Sequence, residues 1–286
     1  MKLGILGGSG LYQLAALADS EWRAVETPWG PPSDDLLFGR LGEMDVVFLP
    51  RHGRGHRLTP SEINYRANIA ALKLAGCTDI LSISACGSFR EELPPGTFVL
   101  VDQFVDRTWG RAKTFFGDGV VGHVAFADPT CSRLAGVAAA ALAACEIPFR
   151  QGGAYLAMEG PQFSTRAESR LYRAAGLDII GMTNMPEAAL AREAELCYLT
   201  VAMVTDFDAW HETREAVDVS QVLEVLLANA ENARRLVVEV ASRLPSHRDT
   251  CAQGCERALD HAIMTAPDQR PSATVEKLRA IARRVL

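Results

Sequence analysis

Short β-rich runs alternate with helical stretches along the chain, at 3–6, 46–49, 80–84, 98–105, 154–158, 179–182 and 198–204. That alternation predicts an α/β fold, with helices packed on a mostly parallel sheet. Most runs lead into chemically unusual residues at their C-terminal ends, the edge where open α/β sheets bind ligands. A chain of 286 residues suffices for one large α/β domain or two small ones.

Helix signals fit this frame. In "TPSE", Thr59 reads as an N-cap, Pro60 as the first helical position and Glu62 as the closure of a capping box. The helix should run to about Ala75 and stop at Gly76. In "NMPE", Asn184 reads as a cap, with Pro186 and Glu187 in the first turn of a helix reaching Glu195. A long helix is expected over 219–244, a short one around 255–263, and an amphipathic basic one over 273–286 as a solvated helix or subunit contact.

The net charge of −6 argues against a nucleic-acid partner, which needs a basic face. No apolar stretch reaches the ~20 residues that span a bilayer, and residues 1–6 enter strand-like sequence without a signal-peptide layout. A cytoplasmic location, with no membrane partner, is expected. Most of the seven cysteines sit in apolar segments, as reduced core thiols do. "CAQGC" at 251–255 has neither zinc-finger nor thioredoxin spacing, and without a second ligand pair no metal is expected there.

Donor groups gather at the strand ends. In "GILGGSGLY", Gly7, Gly8 and Gly10 allow a tight turn whose N–H groups converge, and Ser9 adds a hydroxyl. This loop suits either a phosphate nest or a plain turn, and it is not a P-loop. "PRHGRGHRLTP" clusters Arg51, His52, Arg54, His56 and Arg57 after the second run. Read as more than a solvated loop, it offers Arg51 as a bidentate phosphate ligand and His52 as a further N–H donor. "SISACGS" places Ser84 and small neighbours at a third strand end. Together the three sets point to an anion site.

"MVTDFDAW" ends the last run with Asp206 and Asp208. Residues i and i+2 of a strand share a side, so the two carboxylates project together if the strand persists through Asp208. They suit the donor groups of a purine base, or a DxD metal site.

"GILGGSGL", "RHGRGH…PSEINYRANIAALK", "EGPQFSTRAES", "GMTNMPEAALARE" and "VTDFDAW" together resemble the 5′-methylthioadenosine phosphorylases, in the trimeric branch of the purine nucleoside phosphorylases. The resemblance covers roughly 3–243 in order. It implies a single-domain nucleoside-phosphorylase fold over 1–286, with a mixed central β-sheet flanked by helices. The segment at about 250–286 then closes the site or makes a subunit contact. It further implies a homotrimer and phosphorolysis of methylthioadenosine to adenine and 5-methylthioribose 1-phosphate, in methionine and purine salvage. Phosphate is a co-substrate, and no metal or organic cofactor is implied.

Carried over motif by motif, the resemblance puts Ser9, Arg51, His52, Ser84, Ala85 and Thr183 on phosphate-contacting positions. Met182 falls under the ribose, Phe163 and Ser164 at the base pocket, and Asp206 and Asp208 on the base-reading, catalytic positions. Val219 and Val222 match the 5′-methylthio pocket, and His123 a histidine lent by a neighbouring subunit. Read alone, Met182, Phe163, Val219 and Val222 suit core packing, and His123 a structural role. Threonine is common in the family at the places of Ser9 and Ser84, and serine retains the hydroxyl. The alternatives are a phosphorylase acting on adenosine, 5′-deoxyadenosine or a 6-oxopurine nucleoside such as methylthioinosine, and a binding protein that senses nucleoside or phosphate without turnover.

Overall fold

The computed structural model describes residues 1–286 apart from 9, 10, 12, 13, 212–218 and 249, and apart from the side chains of 219–224. Its strands are β1 (Lys2–Gly7), β2 (Ala18–Arg23), β3 (Leu36–Leu41), β4 (Met44–Pro50), β5 (Asp79–Ser88), β6 (Phe98–Leu100), β7 (Gln103–Asp106), β8 (Phe149–Gln151), β9 (Ala154–Ala157), β10 (Ile179–Gly181) and β11 (Cys197–Asp206). The helices are α1 (Tyr65–Leu74), α2 (Ser132–Ala144), α3 (Arg166–Ala174), α4 (Asn184–Glu193), α5 (Val219–Arg243) and α6 (Ser272–Ala282).

The strands form one mixed sheet in the order β2-β3-β4-β1-β5-β10-β9-β7, with β11, β6 and β8 branching from β5. Hydrophobic layers cover both faces, as expected for strands buried on two sides. Leu6 belongs to the layer that includes Ile69 and Leu72 of α1, Leu190 of α4 and Leu278 of α6. Leu3 and Ile5 face the opposite layer, with Leu134 of α2 and Leu236 and Val240 of α5. Each such buried side chain contributes about 1.5–3 kcal/mol.

The path of β5 sets up the site. Leu3–Leu6 of β1 pair in parallel with Asp79–Ser82, and farther along Gly87 and Ser88 pair antiparallel with β10. Both partners lie on one edge, because β11 occupies the other from Asp79 to Gly87. Between Ser82 and Gly87 the first edge has no strand partner among the described residues. Arg51, just past β4, fills this gap: Nη1 donates to Ile83 O at 3.0 Å, and Nη2 lies 3.4 Å from Leu6 O.

Several expectations change. The run at 98–105 splits into β6 and β7, which pair with different strands, β6 with β11 and β8, and β7 with β9. β2, β3 and β8 carry no strong alternation in sequence; the tertiary pairing makes them strands. Thr59 and Glu62 do bond to each other, but in a separate turn, and α1 begins after Asn64, whose Oδ1 accepts from Ala67 N. Around 255–263 only Cys255–Arg257 forms a short 3₁₀ turn. α6 is not simply solvated, since Leu278, Ile281 and Ala282 are buried in the layer with α1.

Candidate active site

Arg51 is an enclosed cation near the strand ends, with its side chain 2% exposed. Its Nε and Nη2 donate to the two carboxylate oxygens of Glu187 at 2.7 and 3.1 Å, and Nη2 also donates to Ser82 Oγ at 2.6 Å. The guanidinium fork expected to hold phosphate bidentately therefore faces Glu187. The reason is burial: an unpaired cation there is costly, and the carboxylate on α4 neutralises it. Glu187 also accepts from Ser82 Oγ at 2.5 Å and from the Tyr198 hydroxyl at 2.8 Å. Asn184 donates to Ser82 Oγ and Tyr198 and accepts from Ser84 Oγ at 2.9 Å. Arg51, Ser82, Ser84, Asn184, Glu187 and Tyr198 thus form one buried polar network.

Sequence reasoning read Asn184 and Glu187 only as helix-starting residues. Asn184 instead lies inside the polar network, and Thr183 takes the cap position. Met185 is non-helical, so the regular helix begins only beyond it. Thr183 is buried and its hydroxyl makes no capping bond. Arg111 was also missed. Its Nη1 donates to the carbonyls of Met182 and Met185 at 2.5 and 2.7 Å, fixing the turn that carries Met182 and Thr183.

His52 Nδ1 lies 2.8 Å from Leu58 O. A carbonyl only accepts, so Nδ1 carries the proton. Burial pulls the His52 pKa down to about 4, helped by the positive charge of Arg51 and opposed by Leu58 O. The neutral ring then presents Nε2 as an acceptor, not as the expected N–H donor. Ala85 lies two residues after Ile83, whose carbonyl points into the gap. By the strand repeat, the Ala85 N–H points to the same open edge. Ser9 lies outside the described residues.

The two acids meet by a route other than the one expected. β11 ends at Asp206, and Asp208 stands in a turn with φ 49°, so strand alternation does not align them. Asp206 bends the chain back instead: its Oδ1 accepts from Asp208 N at 2.8 Å, and its Oδ2 accepts from Thr205 Oγ1 at 2.7 Å. Both acids pack against Gly87, where a Cβ would lie 2.9 Å from Asp206 Oδ1 and 3.3 Å from Asp208 Cβ. Asp208 Oδ2 is buried without a hydrogen-bond partner. Burial raises both pKa values above the usual carboxylate range, and for Asp208 the charge of Asp206 adds to the effect. With both Asp206 oxygens engaged, the pair is poorly arranged to grip a cation. Among the described residues, it belongs to no cluster of metal-ligating groups.

Met182 packs on Gly160, whose φ of 72° and lack of a Cβ allow Sδ to approach within 2.5 Å of where that Cβ would stand. Ser164 is buried, whereas Phe163 is 49% exposed and is not a core residue of this chain. His123 is exposed, and its backbone N–H donates to Ala262 O at 2.9 Å. The side chains of Val219 and Val222 lie outside the described residues; their backbone opens α5. An open cleft of about 670 Å³, lined by Arg90, Arg170, Arg173, Trp210 and His211, starts past the acid turn and contains none of these donors.

A family model described as Phosphorylase superfamily matches residues 2–242. The S-methyl-5′-thioadenosine phosphorylase of Cereibacter sphaeroides is 56% identical over 99% of this chain and 98% of its own length. That of Bradyrhizobium diazoefficiens is 55% identical, with the same coverage. Among solved structures, a methylthioadenosine phosphorylase from an antarctic soil metagenomic library superposes with a TM-score of 0.93 at 46% identity, covering 98% of each chain. The methylthioadenosine phosphorylase of Schistosoma mansoni in complex with adenine gives 0.83 at 39% identity, over 94% of this chain and 99% of that one. With a mixed, helix-flanked sheet and a match of this length, the chain belongs to the phosphorylase superfamily and, within it, to the S-methyl-5′-thioadenosine phosphorylases.

Proposed function

We propose that this chain cleaves S-methyl-5′-thioadenosine with inorganic phosphate, giving adenine and 5-methylthioribose 1-phosphate. The observation that carries the reading is the juxtaposition at β5. A gap in its ladder is rimmed by Ala85 N–H, Ser84 and Arg51, and two raised-pKa carboxyls sit on Gly87 at the end of the same strand. The relatives are methylthioadenosine phosphorylases, one of them solved in complex with adenine, which supports the same substrate.

Phosphate attacks the ribose C1′ as the bond to purine N9 breaks, so the bonding pair passes into the base and N7 gains basicity. Asp206, with its pKa raised, hydrogen-bonds or protonates N7. The free Oδ2 of Asp208 accepts from the 6-amino group, which a 6-oxopurine could not supply. The Ala85 N–H and the Ser84 and Thr183 hydroxyls, joined by Ser9, orient the nucleophile. Because Glu187 neutralises Arg51, that donor acts within a nearly uncharged set, and the HPO₄²⁻ hydroxyl donates to His52 Nε2, the acceptor of the neutral ring. Met182 lies under the ribose, Phe163 and Ser164 line the base pocket, and Val219 and Val222 line the 5′ pocket. No organic cofactor takes part.

His123 then serves a neighbouring subunit of a homotrimer. Beside it Val121 and Met264 are 48% and 65% exposed and joined by Met264 N to Val121 O at 2.9 Å, an apolar patch suited to a subunit contact. Residues 1–286 work as one unit, with 250–286 bracing that patch. A cytoplasmic location fits a chain in which no described helix is long and apolar enough to cross a membrane.

The test is adenine release from methylthioadenosine with and without phosphate, in EDTA. Phosphate-dependent release is expected. Release without phosphate would make the chain a hydrolase, and release only from methylthioinosine would reverse the role given to Asp208. Binding without any release would revive the sensor reading. Sedimentation analysis tests the trimer.

A further inference from the structure

Four cysteines distant in sequence meet beneath α2 and α5. Cys131 is the N-cap of α2, Cys197 opens β11, and Cys251 and Cys255 bracket the turn after α5. Their Sγ atoms all lie within 4.8 Å of one another, and the residues are 0%, 0%, 7% and 1% exposed. In sequence "CAQGC" has no second ligand pair; the fold supplies one from Cys131 and Cys197.

We propose that Cys131, Cys197, Cys251 and Cys255 bind one structural zinc ion. A tetrahedral ion with Zn–S bonds of about 2.3 Å needs sulfurs about 3.8 Å apart, which this cluster reaches by small side-chain shifts. Four protein ligands and near-complete burial make the site closed, as in structural rather than catalytic zinc centres. An iron–sulfur cluster, with thiolates on separate irons, needs a wider frame.

The surroundings fit an anionic centre. Zinc with four thiolates carries a charge of −2, whereas four thiols carry none. Arg192 Nη1 lies 3.6 Å from Cys255 Sγ, and Arg248 Nη2 lies 3.6 Å from Cys197 Sγ. Arg133 stands beside Cys197 while pairing with buried Asp79. Arg133 Nε and Nη1 and Arg248 Nε are buried without hydrogen-bond partners. Arg192 and Arg248 converging on neutral thiols would be a burden; around a metal tetrathiolate they are counter-charges. Cys255 N–H donates to Cys251 Sγ at 3.0 Å, orienting one ligand, and Gly254 at φ 58° makes the turn that allows it. The Cys251 thiol faces Glu256 Oε2 at 3.4 Å, a ready acceptor for a departing proton. Uptake exchanges one Zn²⁺ for the thiol protons, with no oxidation or reduction.

The ion would fasten the C-terminal segment to the core. Downstream of Cys255, Ile263 bridges Gly122 and Ala262 O accepts from His123 N. The clip therefore braces the loop that carries His123. Only this consequence rests on the proposed function; the metal site itself does not.

The experiment uses the whole chain, expressed in zinc-supplemented medium and purified without chelator. Elemental analysis should find about one zinc per chain, retained through dialysis against EDTA. Alkylation after denaturation should modify all seven cysteines. Zinc-stripped protein titrated with Co²⁺ should show thiolate-to-cobalt charge-transfer absorption saturating near one ion per chain. C255S should abolish that absorption and C145S, outside the cluster, should leave it intact. Should C255S fail to fold, the wild-type zinc content and cobalt titration still decide. Absence of zinc together with no cobalt signal overturns the proposal in favour of reduced core thiols. A shortfall of two or four alkylated cysteines overturns it in favour of disulfides. Loss of phosphorolysis with zinc intact would count against the assigned reaction and leave the metal site standing.

Discussion

Nε and Nη2 of Arg51 reach both carboxylate oxygens of Glu187, at 2.7 and 3.1 Å, with the two side chains only 2% and 1% exposed. Breaking such a pair leaves a charge stranded in the interior. E187A should cost about 3–5 kcal/mol of stability in chemical denaturation. Replacing both partners by apolar residues, as in R51M with E187L, should cost less than the sum of the single changes. An E187A protein within about 1 kcal/mol of the parent would show that Arg51 is not stranded as a buried charge without this partner.

His52 gives a pH signature. Its folded pKa of about 4 lies below the ordinary value near 6.5. Between those values the unfolded chain binds more protons than the folded one, so stability falls as pH drops from about 6.5 to 4. The loss amounts to roughly 3 kcal/mol by pH 4, and none arises above about 6.5. Asp206 and Asp208, with raised pKa values, act in the opposite sense. The clean readout is therefore the difference between the parent and H52Q, measured by denaturant titration from pH 4 to 7. Parallel curves for the two proteins would exclude a depressed His52.

Gly87 is the floor under both acids. A Cβ there would stand 2.9 Å from Asp206 Oδ1, 3.2 Å from Ile180 Cγ2 and 3.3 Å from Asp208 Cβ. G87A should cost about 1–3 kcal/mol of stability, and it should lower kcat/KM for methylthioadenosine by about 100-fold, as ångström-scale displacement of reacting groups does. Unchanged kinetics would mean that the acids do not need this seat.

These tests mark where the sequence was readable. Arg51 and His52 directly follow a β-rich run and could be placed near a neighbouring strand because strand ends in an α/β sheet converge; Ser84, expected at a strand end, lies within β5, which continues to Ser88. Glu187 and Asn184 could not be placed, because their local signal is that of a helix start, and their place depends on the side chains of Arg51, Ser82 and Ser84 reaching α4. The pairing of the Arg51 fork with Glu187 could not be read for the same reason: the sequence does not say which carboxylate will be buried opposite it. Asp206 and Asp208 were rightly paired on the wrong ground, since a side-chain-to-backbone turn rather than strand alternation joins them. β2 is an exposed edge strand in which only Trp22 is partly covered, so no alternation marks it. Cys131 and Cys197 meet Cys251 and Cys255 only through tertiary contacts.

The acid pair itself yields the last prediction. Asp206 has both oxygens engaged by Thr205 and the Asp208 N–H, whereas Asp208 Oδ2 is buried without a hydrogen-bond partner, so the two should fail differently. D206N removes the group assigned to N7 and weakens the bond that shapes the turn. It should lower kcat/KM for methylthioadenosine by about 10²–10⁴-fold, mainly through kcat. D208N can turn an amide N–H₂ toward the 6-amino group, setting donor against donor. It should raise KM for methylthioadenosine and improve methylthioinosine relative to it, because an amide donor suits a 6-keto oxygen. D208N should gain in the ratio of 6-oxopurine to aminopurine turnover, read from phosphate-dependent base release with the two nucleosides side by side, whereas D206N should lower both. If the D208N ratio does not move, Asp208 does not read the purine 6-position, and it would have to be reassigned to holding the turn.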